Sequence, residues 1–272
     1  MGSNPTFPTI LFMNLFRIDK QAFNKRIHEI DLFRGFLIIL VIFDHLMWFI
    51  NFYLCHHSSQ FLNWYWTSEL RLVVRQIVLY AFLFTCGISC HLSRNNKRRG
   101  FLLFILCILI TVATHIIQLM PIFNNRVIAI DINVLGVVAL SILLYCIFEK
   151  LDSKNLLLVT GILMVFYFFI LLASRTSPDT EYNAFRSILY CSINPIKEGY
   201  VGDYLPLFPY VIALFFGVIF ARKFYPAKKS IISKKGNWER SICFLGRHTL
   251  FIYIIHEVLF TIIFVILDMI IK

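Results

Sequence analysis

Apolar residues in this chain come in long runs separated by short polar stretches. Scanning for runs of about twenty apolar residues, the length needed to cross a bilayer as a helix, gives seven: 31 to 54, 69 to 92, 101 to 120, 127 to 148, 155 to 173, 204 to 222 and 243 to 270. The connectors are short except the fifth, which carries Pro178, Pro195, Gly199 and Gly202. The pattern predicts an all-α polytopic membrane bundle of about seven helices. Residues 1–28 form a cytoplasmic or interfacial tail, and residues 29–272 form a single transmembrane domain. The apolar patch in the first residues is too short for a span and has no small-residue cleavage site, so no signal peptide is read there.

Composition agrees, with 59% hydrophobic residues and a mean hydropathy of +0.75. The net charge of +11 could suggest nucleic acid, but the basic residues cluster between apolar runs. They report topology instead. Of the 26 Lys and Arg, eighteen fall before the first run and in the second, fourth and sixth connectors; five fall in the third and fifth connectors and at the end. The remaining three, Arg34, Arg71 and Arg75, lie inside runs. This census predicts a cytoplasmic N-terminus and an extracytoplasmic C-terminus. Cysteines show neither C-x-x-C nor metal-ligand spacing, so most read as small apolar residues and no metal is expected. Cys55 and Cys191 share a predicted outer side and are candidates for a disulfide. His56 and His57 lack companion ligands and read as surface residues.

Ionisable residues inside membrane helices are costly enough to suggest function. The first run, DLFRGFLIILVIFDHLMW, holds Asp31, Arg34, Asp44 and His45. On a helix, the eleven-residue step from Arg34 to His45 leaves them roughly 20° apart on one face and about 16 Å apart along the axis. Trp48 continues that face. A neutral imidazole there suits deprotonation of an acceptor or attack on a thioester. Arg75 and Asp131 reach similar predicted depths, either as a buried ion pair or with Arg75 stabilising an oxyanion or binding an acidic acceptor and Asp131 orienting His45. Glu69 and Arg71 lie nearer the interface and read as solvated. In the last run, His256 and Glu257 fall near mid-membrane, where His256 suits either a helix-helix hydrogen bond or a cavity. Asp203 is pinned between Gly202 and two prolines. Arg34, Arg94, Arg247 and His248 cluster at the cytoplasmic face, where a phosphate-bearing ligand could use them.

The segments RIHEIDLFRGF, FTCGISCHLSRNNKRRG, GDYLPLFPYVIALFFGVIFARKFY and FLGRHTLFIYIIHE, with the Arg, ten residues, His arrangement of the first run, resemble the transmembrane acyltransferase superfamily. The likeness is to its heparan-α-glucosaminide N-acetyltransferase-like branch, in particular the compact bacterial members, and it runs from about residue 26 to 260. It implies a multi-pass protein of the bacterial plasma membrane that moves an acetyl group from cytoplasmic acetyl-CoA, as co-substrate, to an extracytoplasmic amine or hydroxyl of a glycan-type acceptor. In that reading His45 is the catalytic base or transient acyl carrier and Arg34 supports the thioester end. Arg94, Arg247 and His248 would help hold CoA, and Arg75, Asp203, His256 and Trp48 would line the acceptor side, with Asp131 as a further catalytic candidate. Asn133 stands where related sequences are expected to carry His. No nucleic acid is expected as a partner, and a homo-oligomer is compatible with the reading. Two other classes fit the residues: a proton-coupled transporter using His45, Asp131 and His256, which would call for paired halves with broken helices, and a non-catalytic scaffold that binds no acyl-CoA.

Overall fold

A computed structural model describes residues 27–54, 60–120, 127–176, 201–231 and 237–271. The candidate disulfide pair, His56 and His57, and the N-terminal tail before residue 27 lie outside these residues. Nine helices are described: α1 (His28–Leu54), α2 (Gln60–Thr67), α3 (Glu69–Leu92), α4 (Asn96–Gln118), α5 (Val134–Phe148), α6 (Ser153–Thr176), α7 (Tyr210–Phe224), α8 (Asn237–Arg247) and α9 (Thr249–Ile271). Five of them, α1, α3, α4, α6 and α9, are long and apolar enough to cross a membrane. The protein is a polytopic helical membrane protein. Its outward residues are apolar where a soluble protein would be polar, including Phe36 and Phe43 on α1, Ile77 on α3, Leu109 on α4, Phe168 on α6 and Ile262 on α9. Lipid is the solvent such faces require.

The two remaining expected spans are each part helix and part extended chain. Residues 127–133 run extended before α5, and residues 201–209 run without helix before α7. Apolarity continues through both, but local chemistry stops the helices. The Asn133 side chain accepts from the amides of Leu135 and Gly136 at 3.0 and 3.3 Å, capping α5. Pro206 and Pro209 have no amide to donate, so α7 begins only at Tyr210. Extended backbone at membrane depth is tolerated where protein satisfies it. Here the two segments pair, with Gly202 N donating to Ala129 O and Leu205 N to Ile132 O, both at 2.7 Å, around a parallel bridge between Ile130 and Asp203. A polar stripe on α4 completes the set. Gln118 Oε1 accepts from Ile128 N at 2.6 Å and Ala129 N at 3.2 Å, Thr114 Oγ1 accepts from Ile130 N at 3.1 Å, and Thr111 donates to Asp131 O at 2.6 Å.

Helix α7 sits at the centre. Val211, Leu214, Phe215 and Val218 are fully buried among Leu83 of α3, Val137 and Ile142 of α5 and Leu156 of α6. Its closest neighbour is α3, and glycine makes that approach possible: a Cβ on Gly87 would lie 2.0 Å from Leu214 O, and one on Gly217 would lie 2.0 Å from Phe84 O. Small residues at such crossings let two membrane helices pack backbone to backbone. Against this group lies a second, in which α1 packs on α8 and α9. Ile38 of α1, Leu135 of α5 and Tyr253 of α9 are buried together where the groups meet. The polar residues of α1 therefore face α3 on one side and α8 and α9 on the other.

Candidate functional site

Two sites follow from this packing, one at each end of α1. At the first turn, the buried Asp31 accepts from Arg247 Nε of α8 at 3.1 Å. Arg34, one turn on, is held by α3: its guanidinium donates to Ser89 Oγ at 2.5 Å and to Thr85 O at 3.4 Å. Arg94 is exposed just beyond α3, and His248, half-buried between α8 and α9, lies over the Phe244 ring with centroids 4.4 Å apart. Arg34, Arg94, Arg247 and His248 thus belong to the same end of the bundle. Arg34 and Arg247 are the two locked into hydrogen bonds with neighbouring helices.

Toward the other end, α1 presents His45 to α9. His45 Nδ1 is in contact with the Glu257 carboxylate and lies 2.8 Å from His256 Nε2. The two imidazoles stack with centroids 5.0 Å apart and planes 26° apart. His256 is buried, and its Nδ1 faces Ile252 O one turn back at 3.0 Å, which assigns that nitrogen the proton and leaves Nε2 an acceptor. With Nδ1 of His45 engaged by Glu257, the nitrogen left for chemistry is Nε2.

His45 forms part of the wall of a cavity of about 360 Å³ between α1 and α3. Arg75, Asp203, Asp44, Arg71, Tyr253 and Tyr65 line it with apolar side chains. Asp203 arrives on the extended segment before α7, so the backbone pairing described above is what brings it to the wall. The short helix α2 covers one side and is tied down by a clamp. Tyr65 donates to Asp44 Oδ1 at 2.6 Å, Arg71 donates to the same carboxylate at 2.8 and 3.2 Å, and the Arg71 guanidinium lies 3.8 Å over the Trp66 ring. Burial and the Asp44 hydrogen bond push the Tyr65 phenol up to about 12, so it remains a donor throughout the physiological range.

The sequence-predicted residues divide accordingly. His45, Arg75 and Asp203 share the cavity, and His256 touches His45 from behind. Asp131 does not: it accepts from His115 Nε2 of α4 at 3.0 Å, and neither orients His45 nor pairs with Arg75. Equal depth in the bilayer was a poor guide because depth does not say which way a side chain faces. Glu257 occupies the position assigned in the sequence to Asp131. Trp48 packs edge-on to Phe49, with centroids 5.0 Å apart, and is not among the cavity residues. Arg71, expected to be solvated, is the centre of the clamp, with its side chain 11% exposed. Asp44 and Tyr65 complete that clamp; Asp44 stood out in the sequence as a charge inside the first run, but nothing there named its partners. The stripe Thr111, Thr114, His115, Gln118 was missed too, and its helical spacing was the available signal.

Three side chains could hold a metal: His45, His256 and Glu257 bring their ligand atoms within 4.8 Å of one another. The two ring nitrogens are 2.8 Å apart, closer than the roughly 3.3 Å that tetrahedral Zn–N bonds of about 2.0–2.1 Å would set between ligands. The spacing is that of directly hydrogen-bonded groups.

Residues 26–258 match the model of the heparan-alpha-glucosaminide N-acetyltransferase catalytic family. That interval contains α1 through the Glu257 turn of α9, and with it every group around His45. No curated protein and no solved structure matches the chain. With its helical membrane architecture and a family match over most of its length, this chain belongs to the heparan-alpha-glucosaminide N-acetyltransferase catalytic family of membrane acetyltransferases.

Proposed function

We propose that the protein transfers an acetyl group from acetyl-CoA to an amine or hydroxyl of a glycan-type acceptor bound in the cavity beside His45. The observation that carries this reading is the engagement of His45 Nδ1 by Glu257, which is not among the residues that line the cavity. A carboxylate behind an imidazole fixes its tautomer and stabilises the imidazolium that forms when the other nitrogen takes a proton. In the reaction, the acceptor nitrogen or oxygen bonds to the acetyl carbonyl carbon and the C–S bond to CoA breaks. The acceptor's proton passes to His45 Nε2 and then to the departing thiolate, so the imidazole is regenerated. Passage of the acetyl group through His45 Nε2 itself uses the same nitrogen. Arg75, on the same wall, is placed to stabilise the carbonyl oxygen as it gains charge or to bind the acceptor.

Acetyl-CoA would approach from the end of α1 that carries Arg34, Arg94, Arg247 and His248, the face that the distribution of basic residues assigns to the cytoplasm. The CoA phosphates suit guanidinium groups, and the thioester would reach His45 about three helical turns away, at roughly 1.5 Å per residue. A proton-coupled transporter draws some support from the two interrupted helices, but it needs Asp131 near the histidines, and Asp131 is paired with His115.

The test is CoA release from acetyl-CoA by purified protein in nanodiscs, with and without glucosamine-type acceptors. His45→Ala is expected to lower turnover by about 10²–10⁴-fold, the usual contribution of a positioned base, while CoA still binds. If the wild type neither binds nor cleaves acetyl-CoA with any acceptor, the reading is wrong.

A further inference from the structure

The cavity beside His45 is lined unlike a site for a wholly water-soluble sugar. It lies between two membrane-spanning helices, and its apolar walls also face outward: Leu40 and Phe43 on α1 are each 45% exposed, Leu70 and Val74 on α3 are 64% and 39%, and Phe61 on α2 is 53%. These residues continue the lipid-facing surfaces of α1 and α3, where Phe36, Ile39, Val73 and Ile77 are exposed as well. An apolar wall that runs without interruption into a lipid-facing surface favours a ligand with an apolar chain, because such a chain exchanges lipid contacts for protein contacts.

The polar groups of the cavity are set apart along it. Arg71 and Asp44 are committed to each other and to Tyr65. Asp203 is electrostatically linked to His45, at the end where an acceptor's amine or hydroxyl would react. Arg75 is half-buried in the same wall; among the described residues no carboxylate reaches it at ion-pair distance, although Asp203 and Asp44, on the same wall, act on it electrostatically from further off. A guanidinium that two more distant carboxylates balance but neither contacts keeps its donors open to a ligand. Its planar fork matches an oxyanion such as a phosphate or carboxylate.

We propose that the acceptor is an anionic amphiphile, a lipid-linked glycan whose phosphate or carboxylate pairs with Arg75 while its apolar chain leaves the cavity between α1 and α3. This rests on the acetyltransferase reading for the fate of the acceptor, but the binding it describes does not require turnover. The amine or hydroxyl end meets His45 and Asp203, the anion meets Arg75, and Leu40, Phe43, Leu70 and Val74 contact the start of the chain.

Binding of dodecyl phosphate, dodecyl glucoside and inorganic phosphate to the full-length protein in nanodiscs, followed by the emission of Trp64 and Trp66 beside the cavity, separates the contributions. Dodecyl phosphate is expected to bind at least about tenfold more tightly than either of the others, a charge-assisted pair adding to chain burial. Arg75→Gln should bring it to the level of dodecyl glucoside, and Arg75→Lys should restore part of the preference, which shows that the fold is intact. Equal binding of inorganic and dodecyl phosphate, or a preference that survives in Arg75→Gln, overturns the proposal. CoA release measured alongside keeps the two readings distinct. Selective binding without acetyl transfer to any acceptor removes the enzymatic reading alone. Acetylation of soluble glucosamine without any preference for anionic amphiphiles removes this one alone.

Discussion

In the proposed mechanism, Glu257 decides which nitrogen of His45 acts as the base. Its carboxylate meets Nδ1, and an amide in its place could present either a donor or an acceptor there without supplying the charge that stabilises imidazolium. Glu257→Gln is therefore expected to lower kcat by about 10²-fold or more, as loss of the orienting carboxylate does in other histidine-based sites, with little change in KM. Steady-state CoA release against acetyl-CoA concentration reads both parameters; an unchanged kcat would mean that Glu257 serves packing alone. His45 was legible in the sequence because a histidine deep in an apolar run has few bland explanations. Glu257 was visible beside His256 but was given no role, since nothing in the spacing of one helix says which neighbour it meets 212 positions earlier. Asp131 was over-read for the complementary reason. Its partner, His115, sits on a helix whose polar stripe had been taken as part of an ordinary span.

At the scale of elements, the cavity depends on how α3 is held. Arg71, Arg75, Val78 and Leu79 reach the wall from this one helix, and its position is set by the glycine crossing with α7. At Gly87 the nearest obstacle to a Cβ is the Leu214 carbonyl, which cannot rotate away as a flexible side chain would. Gly87→Ala should cost about 1–3 kcal/mol, the usual penalty for overpacking, seen as a lower midpoint of thermal unfolding in detergent. Gly161→Ala is the matched control: a Cβ there meets nothing within 4 Å, and the change should be neutral or slightly stabilising because alanine is the better helix former. Equal effects at the two positions would argue against the close crossing. The long helices were readable from apolar runs because their boundaries coincide with polar connectors. The interrupted ones were not, since residues 127–133 and 204–209 remain apolar and only Asn133, Pro206 and Pro209 mark where a helix cannot begin.

The whole molecule adds a constraint that no helix carries alone. Helices α5 and α7 have 15 residues each, about 22 Å at 1.5 Å per residue, short of a hydrocarbon core of roughly 30 Å. With their extended lead-ins the two segments reach the length of a crossing, which the seven-crossing arrangement expected from the sequence requires. Seven crossings would put residues 2 and 272 on opposite sides, in the sense that the basic connectors predict. Cysteines introduced singly near residue 2 and residue 272, tested in intact cells with a membrane-impermeant maleimide, should give labelling only at the C-terminal end. Labelling at both ends or at neither would reject the seven-crossing arrangement. Fold class was readable because composition and charge distribution act over the whole chain. A shared cavity with His45, Arg75 and Asp203 was expected, but its full wall was not, because it is built from α1, α2, α3, α5, the segment before α7 and α9, and their mutual packing is not a property of any one stretch.

The pairing of α1 with α9 also bears on how the protein is made. His45 lies on the first helix described, whereas its partners His256 and Glu257 belong to the last. During synthesis the histidine waits through the insertion of every intervening helix before its carboxylate arrives. The proposed reactive arrangement closes only with α9, and a chain released before α9 is made lacks the groups that meet His45.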